Sequence, residues 1–279
     1  MWTMTDTSIC AVSRIRSFIE DTPSRRIVSS IPPPDWPSQG AVNFHNITAG
    51  YDLTTNPIIR DISLTISPGE KIAICGVSGS GKSSLLMAMS QMLEVHSGHI
   101  TIDGQDVYKI GQKVIHSAIN VISQEPLFLP GTLRFNLDPH QRVSEQRLIA
   151  ALEKVGLWGQ IGASGGLDMA FSDADWSVGQ KQLLSLARAL VVKAPILVLD
   201  EATSSVDWDT EATMQSIIEQ EFSEQTIIAV THRFRYIRQF DRVVLLRQGE
   251  ILEVDEPDAL LSKNSEFKKL YQTFNNGSE

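Results

Sequence analysis

The chain reads as an α/β protein, with buried parallel strands and a helical portion. Three observations predict this. Lys71-Ile72-Ala73-Ile74-Cys75 is a short apolar strand that runs straight into a glycine-rich loop, with a helical pattern beyond it. Ile196-Leu197-Val198-Leu199 and Ile227-Ile228-Ala229-Val230 are apolar at every position, which suits parallel strands buried on both faces. Residues from about 125 to 193 carry a mostly helical pattern.

Composition removes several classes. With 279 residues, 42% hydrophobic and 20% charged, the chain matches neither disordered nor fibrous proteins. Its two cysteines, Cys10 and Cys75, exclude a disulfide framework. A net charge of −9 argues against a nucleic-acid partner. No apolar run reaches the 18 or so residues of a membrane span. The start, with Asp6, has no secretory pattern.

The elements follow in order. Ile9, Val12, Ile15 and Ile19 recur at helical spacing, so residues 1–22 are expected to form one helix, stopped at Thr22-Pro23. Five of the twelve prolines fall between 23 and 37, which marks 23–40 as an extended linker and a domain boundary. Residues 41–279 form the main domain. Val42 and Phe44, then Ile62, Leu64 and Ile66, alternate with polar residues as half-buried strands do. His99-Ile100-Thr101-Ile102 enters a turn at Asp103-Gly104. Leu85, Leu86, Met89 and Leu93 mark the helix after the glycine-rich loop. A late hairpin pairs Val243–Leu246 with Ile251-Leu252 around Gln248-Gly249.

The loop itself, Gly76-Val77-Ser78-Gly79-Ser80-Gly81-Lys82-Ser83, fits G-x-x-x-x-G-K-[ST] at every fixed position, and Ser84 follows. Its glycines let backbone N–H groups turn inward onto phosphate oxygens, and the helix N-terminus adds partial positive charge. Lys82 is placed to reach the β- and γ-phosphates of a nucleotide, and the Ser83 hydroxyl to ligate Mg²⁺. A bare glycine turn is the bland alternative, and the complete motif between strand and helix weighs against it. Asp200-Glu201 ends a buried strand, where ligands collect in open α/β sheets. Asp200 is expected to bind Mg²⁺ directly or through water, and Glu201 to orient or deprotonate an attacking water. Thr231-His232 ends the next strand on the same inferred edge, so His232 is a candidate γ-phosphate sensor. Cys75 is expected to be an inert buried residue.

Ser177-Val178-Gly179-Gln180 has the capping-box pattern and opens a helix carrying Leu183, Ala187, Leu190 and Val191 on one face. Here the chain resembles the ATP-binding-cassette family, whose usual Leu-Ser-Gly-Gly-Gln signature appears as Trp176-Ser177-Val178-Gly179-Gln180. The resemblance covers residues 1 to about 275. It makes Gln124 the glutamine that touches Mg²⁺ and signals to the membrane domain. It also makes Ser204–Asp207 the loop carrying Asp207, His232 the switch histidine and Tyr51 the aromatic that stacks on adenine. Val178, Glu125-Pro126-Leu127-Phe128, Gly131–Pro139 and Pro33-Pro34-Asp35-Trp36-Pro37 are similar to the C subfamily, the multidrug-resistance-associated group, and to its second nucleotide-binding domain. Trp176 departs from the family's leucine, and is expected to anchor under the signature helix while leaving Ser177 free.

What the resemblance implies is a P-loop ABC-type nucleotide-binding domain: a mixed α/β core, an antiparallel β-subdomain and a helical subdomain at about 125–190. Two such cassettes would sandwich ATP and Mg²⁺ head to tail. The P-loop, Asp200, Glu201 and His232 of one would face Ser177, Gly179 and Gln180 of the other. Residues 1–22 resemble the exit of a transmembrane domain, so the expected setting is the cytoplasmic face of a plasma or vacuolar-type membrane, with the membrane domains supplied upstream or by another chain. The expected work is ATP-driven export of organic anions, conjugates or xenobiotics. A nucleotide-sensing cassette that gates a membrane partner is the alternative, and intact Glu201 favours hydrolysis. A soluble cassette acting on DNA or ribosomes is disfavoured by the acidic charge.

Overall fold

The computed structural model describes residues 29–275. The predicted helix at 1–22 lies outside the described residues. Twelve strands and nine α-helices are seen among those described. A six-stranded sheet holds the centre. It runs β12 (Glu250–Asp255), β11 (Arg242–Arg247), β3 (Lys71–Cys75), β10 (Thr226–Val230), β9 (Ile196–Asp200) and β6 (Ile119–Ser123), with only β12 antiparallel to its neighbour. A four-stranded antiparallel sheet, β2 (Ile59–Ile66), β1 (Val42–Gly50), β4 (Glu94–Ile102) and β5 (Gln105–Asp106), packs beside it.

The two apolar runs are buried for the expected reason. In β9 and β10 successive residues face opposite sides, and both sides are covered. Ile196, Val198, Ile228 and Val230 join Ile72, Ile74, the antiparallel sheet and α1 (Lys82–Met89) in one core. Leu197, Leu199, Ile227 and Ala229 join a second core with α6 (Val178–Val191) and α7 (Trp208–Glu221). Ala73, Cys75, Val243 and Leu245 pack with Leu260 and Phe267 of the C-terminal helices α8 (Pro257–Ser262) and α9 (Glu266–Asn275). Each fully buried Ile or Leu contributes about 1.5–3 kcal/mol, so a central sheet apolar on both faces is strongly fixed.

Several expectations change in detail. The helix after the glycine-rich loop stops at Met89, and Leu93 lies beyond it. A turn through Gln91, at φ +60°, carries the chain back, and Leu93 is buried as the anchor of that turn. Region 125–193 holds four α-helices, α3 (Leu133–Leu137), α4 (Glu145–Lys154), α5 (Trp158–Ala163) and α6. It also holds a two-stranded ribbon, β7 (Gly131–Thr132) with β8 (Ala170–Phe171), too short to leave a periodicity. Helix α6 is buried on more than one face: Leu184, Leu186 and Ala189 are covered as well, whereas Leu183 is only partly so.

The end of the proline-rich segment is tied to the domain. Trp36 Nε1 donates to the Ile102 carbonyl at 2.8 Å, and the ring packs on the first core. The Asp103 carboxylate accepts from the amides of Ser38, Gln39, Gly40 and Ala41. Burial alone raises the Asp103 carboxyl, but these four amides outweigh it and hold the group below the usual carboxylate range.

Candidate nucleotide site

Strand register puts the chemistry on one edge. Val230 lies opposite Ile74 on one side and Asp200 on the other, and Ser123 lies opposite Asp200. The residues that follow β3, β9, β10 and β6 are therefore the phosphate loop, Glu201, Thr231-His232 and Gln124. All emerge at the carboxyl ends of parallel strands, where such sheets bind ligands.

The loop is built to receive an anion. Gly76 has φ +151°, and a Cβ there would meet the Leu246 carbonyl at 2.4 Å and Ser80 Oγ at 2.6 Å, so only glycine fits. Helix α1 begins after Gly81 with no side-chain cap, which leaves its first amides for a ligand. Val77, Ser78 and Gly79 are exposed. Ser80 Oγ is buried without a hydrogen-bond partner among the described residues. Lys82 is 5% exposed, and its Nζ donates to the Gly76 and Val77 carbonyls, each at 3.1 Å. Burial pulls the Lys82 ammonium below its ordinary range, although Glu201 and Asp200 oppose this. A desolvated cation beside a glycine-rich loop suits a polyphosphate. Ser84 is half-buried on the same helix.

Ser83 Oγ donates to Asp200 Oδ1 at 3.2 Å. Burial raises the Asp200 carboxyl, with the Ser83 hydrogen bond as the chief opposing influence. Among the described residues no group of three or more His, Cys, Asp or Glu could hold a metal. A hydroxyl and one carboxylate are nevertheless the donor set Mg²⁺ takes when phosphates and waters complete its shell, so these residues fit the ion. Glu201 Oε1 is 2.9 Å from His232 Nε2. Glu201 has φ +52°, a left-handed conformation that costs a non-glycine residue about 1–2 kcal/mol. Its amide donates to the Val230 carbonyl at 3.0 Å, which fixes that kink against β10.

The remaining predicted residues stand further out. Gln124 is exposed, and its carbonyl accepts from Gln182 Nε2 at 2.7 Å. No hydrogen bond from its side chain to Ser83 or Asp200 is seen among the described residues. Tyr51 is 63% exposed, at the start of a loop whose other end, Ile58-Ile59, lies against Gly81. Asp207 caps α7, accepting from the Asp209 and Thr210 amides and the Thr210 hydroxyl. The Thr210 bonds hold its carboxyl low. Ser177 and Gln180 form a complete capping box at α6. A Cβ on Gly179 would meet Thr210 Oγ1 at 2.9 Å, so this glycine lets α6 approach α7. No contact among the described residues joins Ser177, Gly179 or Gln180 to the phosphate loop. Trp176 is buried, stacked on Phe171 at 5.8 Å and 7°, with Ser177 left exposed beside it.

Sequence reading missed two neighbours of His232. Phe274 of α9 brings its ring within 6.0 Å of the imidazole, and Arg233 binds the chain after Glu201. Only adjacency to His232 hinted at Arg233, and nothing hinted at Phe274. A wide depression of about 680 Å³, lined by Glu70, Asp241, Arg242 and Asp255, lies at the amino ends of β3 and β11. It is opposite the functional edge. Cys75 is buried, and burial pushes its thiol up to about 12, so it is unreactive.

Comparison with known proteins agrees with this geometry. The family described as ABC transporter matches residues 59–204. The chain is 43% identical over 97% of its length to ABC multidrug transporter B of Aspergillus fumigatus, of which it covers 19%. It is 38% identical over 91% of its length to ATP-binding cassette sub-family C member 8 of Homo sapiens, of which it covers 16%. The chain thus spans less than a fifth of these relatives. Among solved structures, a bacterial Atm1-family ABC exporter with ATP bound superposes with a TM-score of 0.87 at 26% identity, over 96% of this chain and 48% of that one.

Proposed function

The chain belongs to the ABC transporter family, in its C-type branch, and on that premise we propose that residues 41–279 are the ATP-hydrolysing cassette of an exporter. The observation that carries this is the functional edge itself. The Ser83–Asp200 pair and the Glu201–His232 pair flank one phosphate loop. The amides of the loop and the buried Lys82 bind the polyphosphate of ATP and orient it. Ser83 and Asp200 would hold Mg²⁺, which when bound would neutralise charge on the phosphates, and the family resemblance adds Gln124 as a ligand that would have to move in from its exposed position. Glu201 accepts a proton from the attacking water, and His232 holds the Glu201 carboxylate at the edge.

The signature completes a second chain's site. Val178 and Gly179 carry the first amides of α6, which have no carbonyl of their own helix to bond. With the exposed Ser177 and with Gln180 they make no contact with the phosphate loop of their own chain among the described residues, so a head-to-tail partner cassette is the fitting recipient. Closure of that sandwich excludes water, and hydrolysis restores repulsion between the faces. No helix among the described residues is long and apolar enough to cross a membrane. Relatives such as the A. fumigatus protein are transporters by name, which supports membrane domains supplied by sequence outside 41–279 or by another chain, with the cassette on the cytoplasmic face of a plasma or vacuolar-type membrane as the proposed setting. The A. fumigatus relative is a multidrug transporter by name, which supports export of xenobiotics, conjugates or organic anions. The intact Glu201–His232 pair favours hydrolysis over nucleotide sensing alone. Substrate flux in vesicles carrying the cassette with its membrane domains tests the proposal: ATP-dependent accumulation lost in Lys82→Ala supports it. Flux equal in both refutes it.

A further inference from the structure

The residue after His232 binds the loop after Glu201. Arg233 Nη2 donates to the carbonyls of Ser204 (2.9 Å) and Val206 (3.1 Å), and Nη1 to Glu211 Oε2 at 3.1 Å. Glu211 lies in the first turn of α7 with its side chain 3% exposed. Thr231 Oγ1 accepts from the Arg233 amide and donates to the Arg233 carbonyl, which closes the turn that aims His232. The loop's other ties are the Ser204 amide to the Glu201 carbonyl at 3.0 Å, the Val206 amide to the Thr203 carbonyl at 3.4 Å, and the buried Ala202 and Val206 side chains. A cavity of about 50 Å³ lined by Ala202, Thr203, Met214, Thr231 and Arg233 lies behind it.

We infer that Arg233 is a positioning residue that ties the His232 turn to residues 202–207, so that the Glu201–His232 pair and the Asp207 segment hold one geometry. Arg233 touches no reacting atom. A planar guanidinium can serve two carbonyls and a carboxylate at once, whereas an ammonium on a flexible stem cannot hold that fork. Glu211 is buried, so loss of Arg233 alone also leaves an unpaired carboxylate in the interior. That structural penalty must be separated from positioning. The inference rests on the hydrolytic reading above for its consequence, but not for its geometry.

The test is run on cassettes paired as in the assembled transporter and compares wild type with Arg233→Met, Glu211→Leu and the double variant Arg233→Met/Glu211→Leu. Thermal midpoint, affinity for a fluorescent ATP analogue, Mg-ATP turnover and amide hydrogen exchange of residues 202–207 are measured on each. Arg233→Met should lower the midpoint and raise exchange across 202–207 about tenfold, because the loop opens locally. Turnover should fall by about tenfold or more while nucleotide affinity stays within about twofold, the pattern of a lost transition-state geometry. The double variant removes the stranded charge and should recover the midpoint, yet keep the fast exchange and slow turnover of Arg233→Met. Recovery of exchange and turnover together with the midpoint would reduce Arg233 to a stability element and overturn the inference. If wild type shows no turnover that Lys82→Ala removes, the hydrolytic reading fails, and the exchange data still decide whether Arg233 orders the loop.

Discussion

At Lys82 a charge is buried. Its ammonium is desolvated, and among the described residues it donates to two loop carbonyls, Gly76 and Val77. Lys82→Ala should leave the free fold as stable as wild type or more so, and should weaken nucleotide binding. Mg-ATP at 100 times its Kd should stabilise wild type by about 2.7 kcal/mol; in the variant most of the thermal shift should vanish, and an equal shift in both would remove Lys82 from the site. Asp103 shows the opposite economy, a carboxylate held low by four amides. Because its folded pKa is depressed, its stabilisation is present above the unfolded value of about 3.9 and is lost as pH falls through the lower folded one. Asp103→Asn should therefore cost about 1 kcal/mol near neutrality, after allowance for solvent screening. Denaturant melts across pH should show the two proteins converging in acid; a gap that persists there would mean that the charge is irrelevant.

Among the elements, the signature helix departs most from its expected sequence, at Trp176. Its ring extends a stack through Phe171 to Phe128, over which the Arg188 guanidinium lies at 4.7 Å, and its Nε1 has no hydrogen-bond partner among the described residues. Trp176→Phe keeps the stack and removes the orphan donor, so stability should change by less than about 1.5 kcal/mol. Trp176→Leu opens a void and should cost about 1–3 kcal/mol, with turnover per folded molecule unchanged. Turnover several-fold faster in Trp176→Leu would show instead that the tryptophan holds the signature in a damped position. The same helix shows what was legible. The Ser177–Gln180 box was readable because capping is local chemistry at fixed spacing, as were the phosphate loop and the doubly apolar strands. The β7–β8 ribbon was not, because two-residue strands leave no periodicity. Nor was the Gly179–Thr210 approach, since residues far apart in sequence meet only once the helices pack. Asp207 was read for function, whereas its helix cap was equally local and went unweighed.

Across the whole molecule, four strand ends bring their loops to one edge, and the signature, which makes no contact with the phosphate loop among the described residues, is proposed to serve a partner cassette. Ser177→Arg should leave the fold and single-cassette ATP binding intact but prevent the closed pair, as light scattering with Mg-ATP would show. A pair that forms as readily as in wild type would contradict the head-to-tail arrangement. The central claim is that Glu201, kinked at φ +52° and 2.9 Å from His232, is the base that activates water. The most direct measurement is ATP hydrolysis together with the closed-dimer fraction in Glu201→Gln, run on cassettes paired as in the assembled transporter. The substitution removes basicity with little change of shape and leaves Lys82, Ser83 and Asp200 in place. Hydrolysis should fall by about 10²–10⁴-fold, or about 3–5 kcal/mol of barrier, while the ATP-bound pair accumulates. Undiminished hydrolysis would contradict the account, and so would lost hydrolysis with no trapped closed pair.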